Sequence, residues 1–177
     1  MEKFFEIAWT IAPDQPLCAD VWSGMAGGRA RSEAEQRALE LSDVVSYHDY
    51  RSYSRNIDII EQFKLIGRPI FDTEWLHRIF HNDVQEIYPL LYLEKIGCYN
   101  WGFVAGKYQT FEPWNNVWDG YRKNPEAYAN FDFTKWFHDL YRPSLNPYDP
   151  RETELIQMLC ARADANFART QAQEIGT

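Results

Sequence analysis

The chain has 177 residues, enough for one domain with a sizeable core and short for two. Eighteen basic against twenty-six acidic side chains give a formal charge of -8 with no basic block, which argues against nucleic acid, polyanions and anionic membranes as partners. No apolar run is long enough to cross a bilayer, and three scattered cysteines, Cys18, Cys98 and Cys160, make neither a disulfide framework nor a zinc site.

The opening stretch, MEKFFEIAWT, has neither the basic region nor the apolar core of a signal peptide, and the compartment stays unknown. The first apolar run, Pro16 to Trp22, reads as a buried strand. Ser32 with Glu35 three residues on then forms a capping box ahead of Ala38 and Leu39, predicting a helix. A second run, Val44 to His48, precedes a helix with Ile59, Ile60, Phe63 and Ile66 on one stripe, ending at Gly67. The third run, Arg68 to Thr73, leads to a helix over about Asn82 to Lys95, in which Pro89 either kinks the helix or opens its main body. The fourth run is Gly97 to Val104. Successive runs start about 25 to 30 residues apart, the size of a βαβ unit, so the strands are expected to pair in parallel.

A long segment from Lys107 to Tyr148 follows, rich in Trp, Tyr, Asn and Pro. Unstructured connections of that length in compact domains are often functional. The last helix is expected to be capped by Asp149, with Pro150 at its first position and Glu152 completing the box, and Leu155, Ile156 and Leu159 facing inward. After about Asn166 the polar tail, residues 167–177, is expected to fray. The reading is a single domain over residues 1–166.

In parallel α/β folds the loops at the carboxyl ends of the strands converge on one face, where chemistry sits. Trp22 ends the first run. His48 and Tyr50 close the second and, two residues apart, can point the same way. Glu74 and Trp75 close the third, and Tyr99 and Trp101 share one side of the fourth. A carboxylate with imidazole, phenol and indole neighbours suits sugars, whose hydroxyls take hydrogen bonds, whose ring faces stack on aromatics and whose acetal carbon needs a carboxylate. No metal or cofactor is expected: no His/Asp/Cys cluster has ligand spacing, and MAGGR, Met25 to Arg29, matches no glycine-rich phosphate loop.

Together YHDY, PIFDTEW, CYNWGFVAGKYQT and WFHDLYRPSLNPYDPRETELI resemble the carboxyl-terminal half of a clan-A, family-5-like glycoside hydrolase of the cellulase, mannanase and xylanase type. The resemblance runs from about Phe4 to Leu159. It implies half of a (β/α)8 TIM barrel, four parallel strands each followed by a helix, in the places of family strands five to eight. It also implies that Glu74 is the nucleophile of a retaining mechanism, that Tyr50 hydrogen-bonds and aims it, and that His48, Trp101, Trp22 and Trp75 line the substrate site. The second carboxyl of such enzymes follows an asparagine at the end of strand four, and no Asn-Glu pair occurs in this chain. The expectation is therefore a β-linked saccharide as substrate, no hydrolysis by the chain alone, and a missing amino-terminal half-barrel or self-association as partner. The alternative is a noncatalytic carbohydrate-binding half-barrel.

Several residues keep two readings at this level. Trp22 and Trp75 fit either stacking on a sugar or packing under loops, and Trp114 and Trp118 either line a cleft or anchor the long segment. Asp20 and Asp72 are read as hydrogen-bonding to backbone or arginine rather than to sugar. Lys107 and Gln109 are weak candidates for sugar contact, while Trp136, His138, Asp139 and Arg142 are read as structural.

Overall fold

The computed structural model describes residues 1–22, 24–26 and 29–175, so MAGGR lies in part outside the described residues. The chain comprises two compact units. One comprises Met1–Trp75 with Ile96–Asn100, and the other Leu76–Lys95 with Trp101–Thr177.

The first unit holds helix α1 (Glu2–Ile11), a two-stranded antiparallel ribbon of β1 (Met25–Ala26) and β2 (Arg29–Ala30), helix α2 (Glu33–Leu41), strand β3 (Val45–His48), helix α3 (Tyr53–Lys64), and strands β4 (Ile70–Trp75) and β5 (Gly97–Asn100). Strands β3, β4 and β5 form a parallel sheet in that order, so the architecture is α/β with a three-stranded parallel sheet. The expected first strand is reduced to one parallel bridge, Val21 to Tyr47. The cause lies in where its amides go. Pro16 has no amide to give, while Leu17 N donates to Asp43 Oδ2 at 2.8 Å and Ala19 N to Ser42 Oγ at 2.9 Å. Trp22 N donates to Glu35 Oε1 at 2.7 Å. These side chains, with the backbone bonds from Val21 N to Ser46 O at 2.9 Å and from Asp43 N to Leu17 O at 2.7 Å, hold this segment in place of a continuous ladder.

Local signals in the sequence are met. Ser32 caps α2 by accepting from Glu35 N at 3.2 Å, and Glu35 Oε2 reaches back to take the Ser32 hydroxyl at 2.7 Å. On α3, Ile59, Ile60 and Phe63 are buried, and the Phe63 ring lies 4.8 Å from that of Tyr47 on β3. The chain leaves this helix through Gly67 at φ 73, a left-handed conformation that glycine adopts without strain. Between β4 and β5 the Phe71 ring lies over Gly97, and a Cβ there would come within 2.5 Å of it.

Asp72 sits on β4 between Tyr47 of β3 and Cys98 of β5, completely buried. Neither carboxyl oxygen completes a hydrogen bond among the described residues. The Asp49 amide is already given to the Glu74 carbonyl at 3.1 Å. Burial first, and the Asp49 charge second, push the Asp72 carboxyl well above the usual range, against a weaker opposite pull from the amides of Asp49 and Glu74. A carboxyl raised in the folded state favours folding most in acid, and its contribution is lost as pH rises from the usual carboxylate value through the folded one. Asp72→Asn, which cannot ionise, should therefore match the parent near pH 3 and exceed it by about 1–3 kcal/mol at pH 7, as read by urea denaturation. Equal stability at pH 7 would show that Asp72 ionises in the fold at no cost.

The second unit holds α4 (Val84–Leu93), α5 (Asn115–Lys123) and α6 (Pro150–Ile175), with single 3-10 turns at Arg78–Phe80 and Pro125–Tyr128. Helix α4 begins at the Asp83 cap, which leaves Pro89 inside the helix rather than at its start. The segment from Lys107 to Tyr148 is not a bare loop. Ile79, Val117 and Phe137 form a buried cluster there, with Phe80, Trp114, Tyr128, Phe131 and Phe133 packed against it. Trp118 stacks on Phe133 at 4.9 Å, so both loop tryptophans anchor the segment. Trp136 stacks on Tyr148 at 4.9 Å with Arg142 over it at 5.0 Å, and His138 and Asp139 are fully buried, which are structural places.

Helix α6 departs from its sequence reading in two ways. Asp149 takes the Arg151 amide at 2.9 Å, but Glu152 turns away from the cap to pair with Arg78 in the interior. Arg78 Nε and Nη2 meet the two Glu152 oxygens at 2.8 and 2.6 Å, and the guanidinium lies 4.5 Å over the Tyr148 ring. Removing one member strands a buried charge, so Glu152→Ala should cost about 3–5 kcal/mol in unfolding free energy. A loss under about 1 kcal/mol, the worth of a surface pair, would mean that Arg78 finds water or another partner. The helix also continues to Ile175, past Asn166, although the side chains of residues 160–173 are exposed.

Candidate functional site

The site lies in the first unit, where β3 and β4 end. Alternation along β3 turns Tyr47 toward Phe63 of α3 and places Ser46 and His48 on the opposite face. On β4 the register slips: Tyr47 faces Asp72, but His48 faces Glu74, so Thr73 is the extra residue of an irregularity. The slip brings both Thr73 and Glu74 to the side of His48. Strand β4 also runs to Trp75, two residues beyond the predicted end at Thr73, so Glu74 belongs to the strand rather than to the loop after it.

Glu74 stands among the groups that the sequence gathered around it. Tyr50 Oη donates to Glu74 Oε2 at 2.7 Å, and His48 Nδ1 lies 3.5 Å from the same oxygen. Burial and the bond to Glu74 both push the Tyr50 phenol far up, so Tyr50 remains a donor at any working pH. Trp22, 68% exposed, stands edge-on to the His48 ring with centroids 6.1 Å apart. An exposed indole beside this imidazole is available to stack on a ring. The Glu74 side chain is itself 23% exposed.

Two expectations change. Trp75 is 1% exposed and belongs to the core, because neighbouring residues on a strand point to opposite faces and Glu74 holds the site face. Its stacking role is therefore withdrawn. Trp101 lies beyond the end of β5, outside the strand that was expected to carry it, and is 44% exposed.

The sequence missed the residue behind His48. Asp20 Oδ2 lies 3.0 Å from His48 Nε2. Ser46 Oγ donates to Asp20 Oδ1, and Thr73 Oγ1 reaches the same oxygen at 3.3 Å. The expectation for Asp20 was backbone or arginine; its partners are an imidazole and two hydroxyls. Its spacing of two from Trp22 in an extended segment was the available signal. Asp49, next in sequence, is buried and held bidentately by Arg51 at 2.7 and 2.9 Å, which keeps its charge out of the Glu74 group.

The arrangement is a carboxylate with one phenolic donor and one imidazole neighbour, and an indole edge-on to that imidazole. Among the described residues no group of three or more His, Cys, Asp or Glu is placed to hold a metal ion. The chain matches no protein-family model, and no curated protein sequence matches it.

Proposed function

We propose that this chain is the nucleophile-bearing half of a retaining β-glycosidase built on half of a (β/α)8 barrel, acting on a β-linked glucan, mannan, xylan or related oligosaccharide. The observation that carries the reading is the 2.7 Å bond from Tyr50 to Glu74, at the end of a central parallel strand. In this mechanism Glu74 attacks the anomeric carbon, the glycosidic C–O bond breaks, and a glycosyl ester forms on the carboxylate; water later cleaves that ester. Tyr50, through its bond to Oε2, holds the carboxylate aimed before attack. Trp22 supports a sugar ring.

A retaining pair stands about 5 Å apart with open space for the leaving group between them. Asp20 does not meet this requirement, since the His48 ring fills the space between it and Glu74. The acid/base is therefore assigned to a second half-barrel, supplied by another polypeptide or another copy.

The test is labelling with a 2-deoxy-2-fluoro glycoside bearing a dinitrophenolate leaving group, which departs without protonation. The chain is treated alone and together with an amino-terminal half-barrel of the same clan, then digested and mapped by mass spectrometry. The expected label sits on Glu74 and is absent from Glu74→Gln. Label on another residue, or none with the second half present, overturns the assignment. Saccharide binding without label, unchanged in Glu74→Gln, would make the chain a binding module instead.

A further inference from the structure

His48 lies between two carboxylates, and its two ring nitrogens are not equivalent. Nε2 meets Asp20 Oδ2 at 3.0 Å, a hydrogen-bond distance, whereas Nδ1 stands 3.5 Å from Glu74 Oε2 and completes no hydrogen bond among the described residues. Asp20 is itself fixed. One of its oxygens takes the Ser46 and Thr73 hydroxyls, which leaves the other turned to the imidazole. A ring nitrogen paired with a carboxylate carries the proton, and which nitrogen does so is set by the bond the other one makes. The Tyr50 donor and the His48 ring also converge on one oxygen of Glu74, Oε2.

From this we infer that Asp20 is the positioning residue of the site: it takes the Nε2–H of His48 and so fixes both the tautomer and the ring plane that wall Glu74 Oε2. The inference rests on the reading of Glu74 as nucleophile for its purpose, though not for its geometry. With Oε2 committed to Tyr50 and walled by the imidazole, Oε1 is the oxygen presented to an anomeric carbon. The groups facing His48 within this unit are Asp20 from the edge segment, Glu74 from β4 and Trp22, with the Ser46 and Thr73 hydroxyls bound to Asp20. Neither Ser46 nor Thr73 titrates, so the tautomer is decided between the two carboxylates. Asp20, at hydrogen-bond distance, prevails over Glu74, which is not.

The experiment uses the chain labelled with nitrogen-15 in its four histidines, whose ring nitrogens are read by long-range nitrogen–proton correlation at a pH where the rings are neutral. His48 is assigned by its loss in His48→Gln. The expected parent signature is a single tautomer with the proton on Nε2. In Asp20→Ala it should become a mixture or pass to Nδ1–H, now donating to Glu74, and in Asp20→Glu the parent tautomer should return. An unchanged tautomer in a folded Asp20→Ala chain overturns the proposal. So does a parent chain with its proton on Nδ1, a result that needs no variant and stands even where Asp20→Ala fails to fold. Because no sugar is involved, the outcome is independent of labelling at Glu74, and either proposal can fail while the other holds.

Discussion

Glycoside turnover in the complemented enzyme should fall by roughly 10⁴-fold or more in Glu74→Gln, the scale of loss when a covalent nucleophile is removed. The amide is nearly the same shape as the carboxylate and keeps an acceptor for Tyr50, whose bond is 2.7 Å in the parent. Substrate affinity should therefore change little while kcat collapses. Tyr50→Phe removes only the donor and should cost about 10²-fold, again in kcat more than in KM, as for the loss of one oriented donor. The two variants together should lose no more than Glu74→Gln alone, since Tyr50 acts only through that carboxylate. Steady-state kinetics on an aryl glycoside decides the matter. A Glu74→Gln enzyme with a tenth of parental turnover would place the nucleophile elsewhere. The Tyr50 phenol is held so far above its ordinary value that no alkaline fall in activity should trace to it in a normal assay range.

Acid should unfold the second unit more steeply than carboxylates alone explain. His77 and His138 are fully buried, with ring centroids 5.5 Å apart. His77 stacks on Phe80 at 3.6 Å and meets Phe137 at 3.5 Å. Burial, with a smaller contribution from neighbouring His138, lowers His77 to about 2, and burial lowers His138 to about 4. Both folded values lie below the unfolded value of about 6.5. The stability tied to these neutral rings is thus complete above that pH and is lost as pH falls toward about 4. With two protons taken up on unfolding, the slope should approach about 2.7 kcal/mol per pH unit below pH 6. Urea denaturation between pH 6.5 and 5, where most carboxylates stay ionised, checks this through the fluorescence of Trp114, which lies 5.0 Å from His77 and 5.6 Å from His138. His77→Gln should remove about half of the slope. A parent slope under one proton per molecule would mean that one ring charges inside the fold.

How much of this was legible beforehand follows the range of the interactions involved. The cap at Ser32, the stripe on α3 and the stop at Gly67 are set by residues a few positions apart, so the chain alone specified them. The spacing of two between His48 and Tyr50 was also legible, whereas their meeting with Glu74 was implied by the family resemblance and depends on the register slip. Distant partners decided the rest. The amides of Leu17 and Ala19 went to the side chains of Asp43 and Ser42 and cost the first run its strand. Glu152 left its cap for Arg78, 74 residues away in sequence. The register slip at Thr73 turned Glu74 into the site while Trp75 went to the core. Sequence by itself determined the α/β alternation and placed Glu74 near the end of a strand. Only tertiary structure decided that Asp20 stands behind His48, because a hydrogen bond between residues 28 positions apart depends on how the strands are brought side by side, which no local pattern encodes.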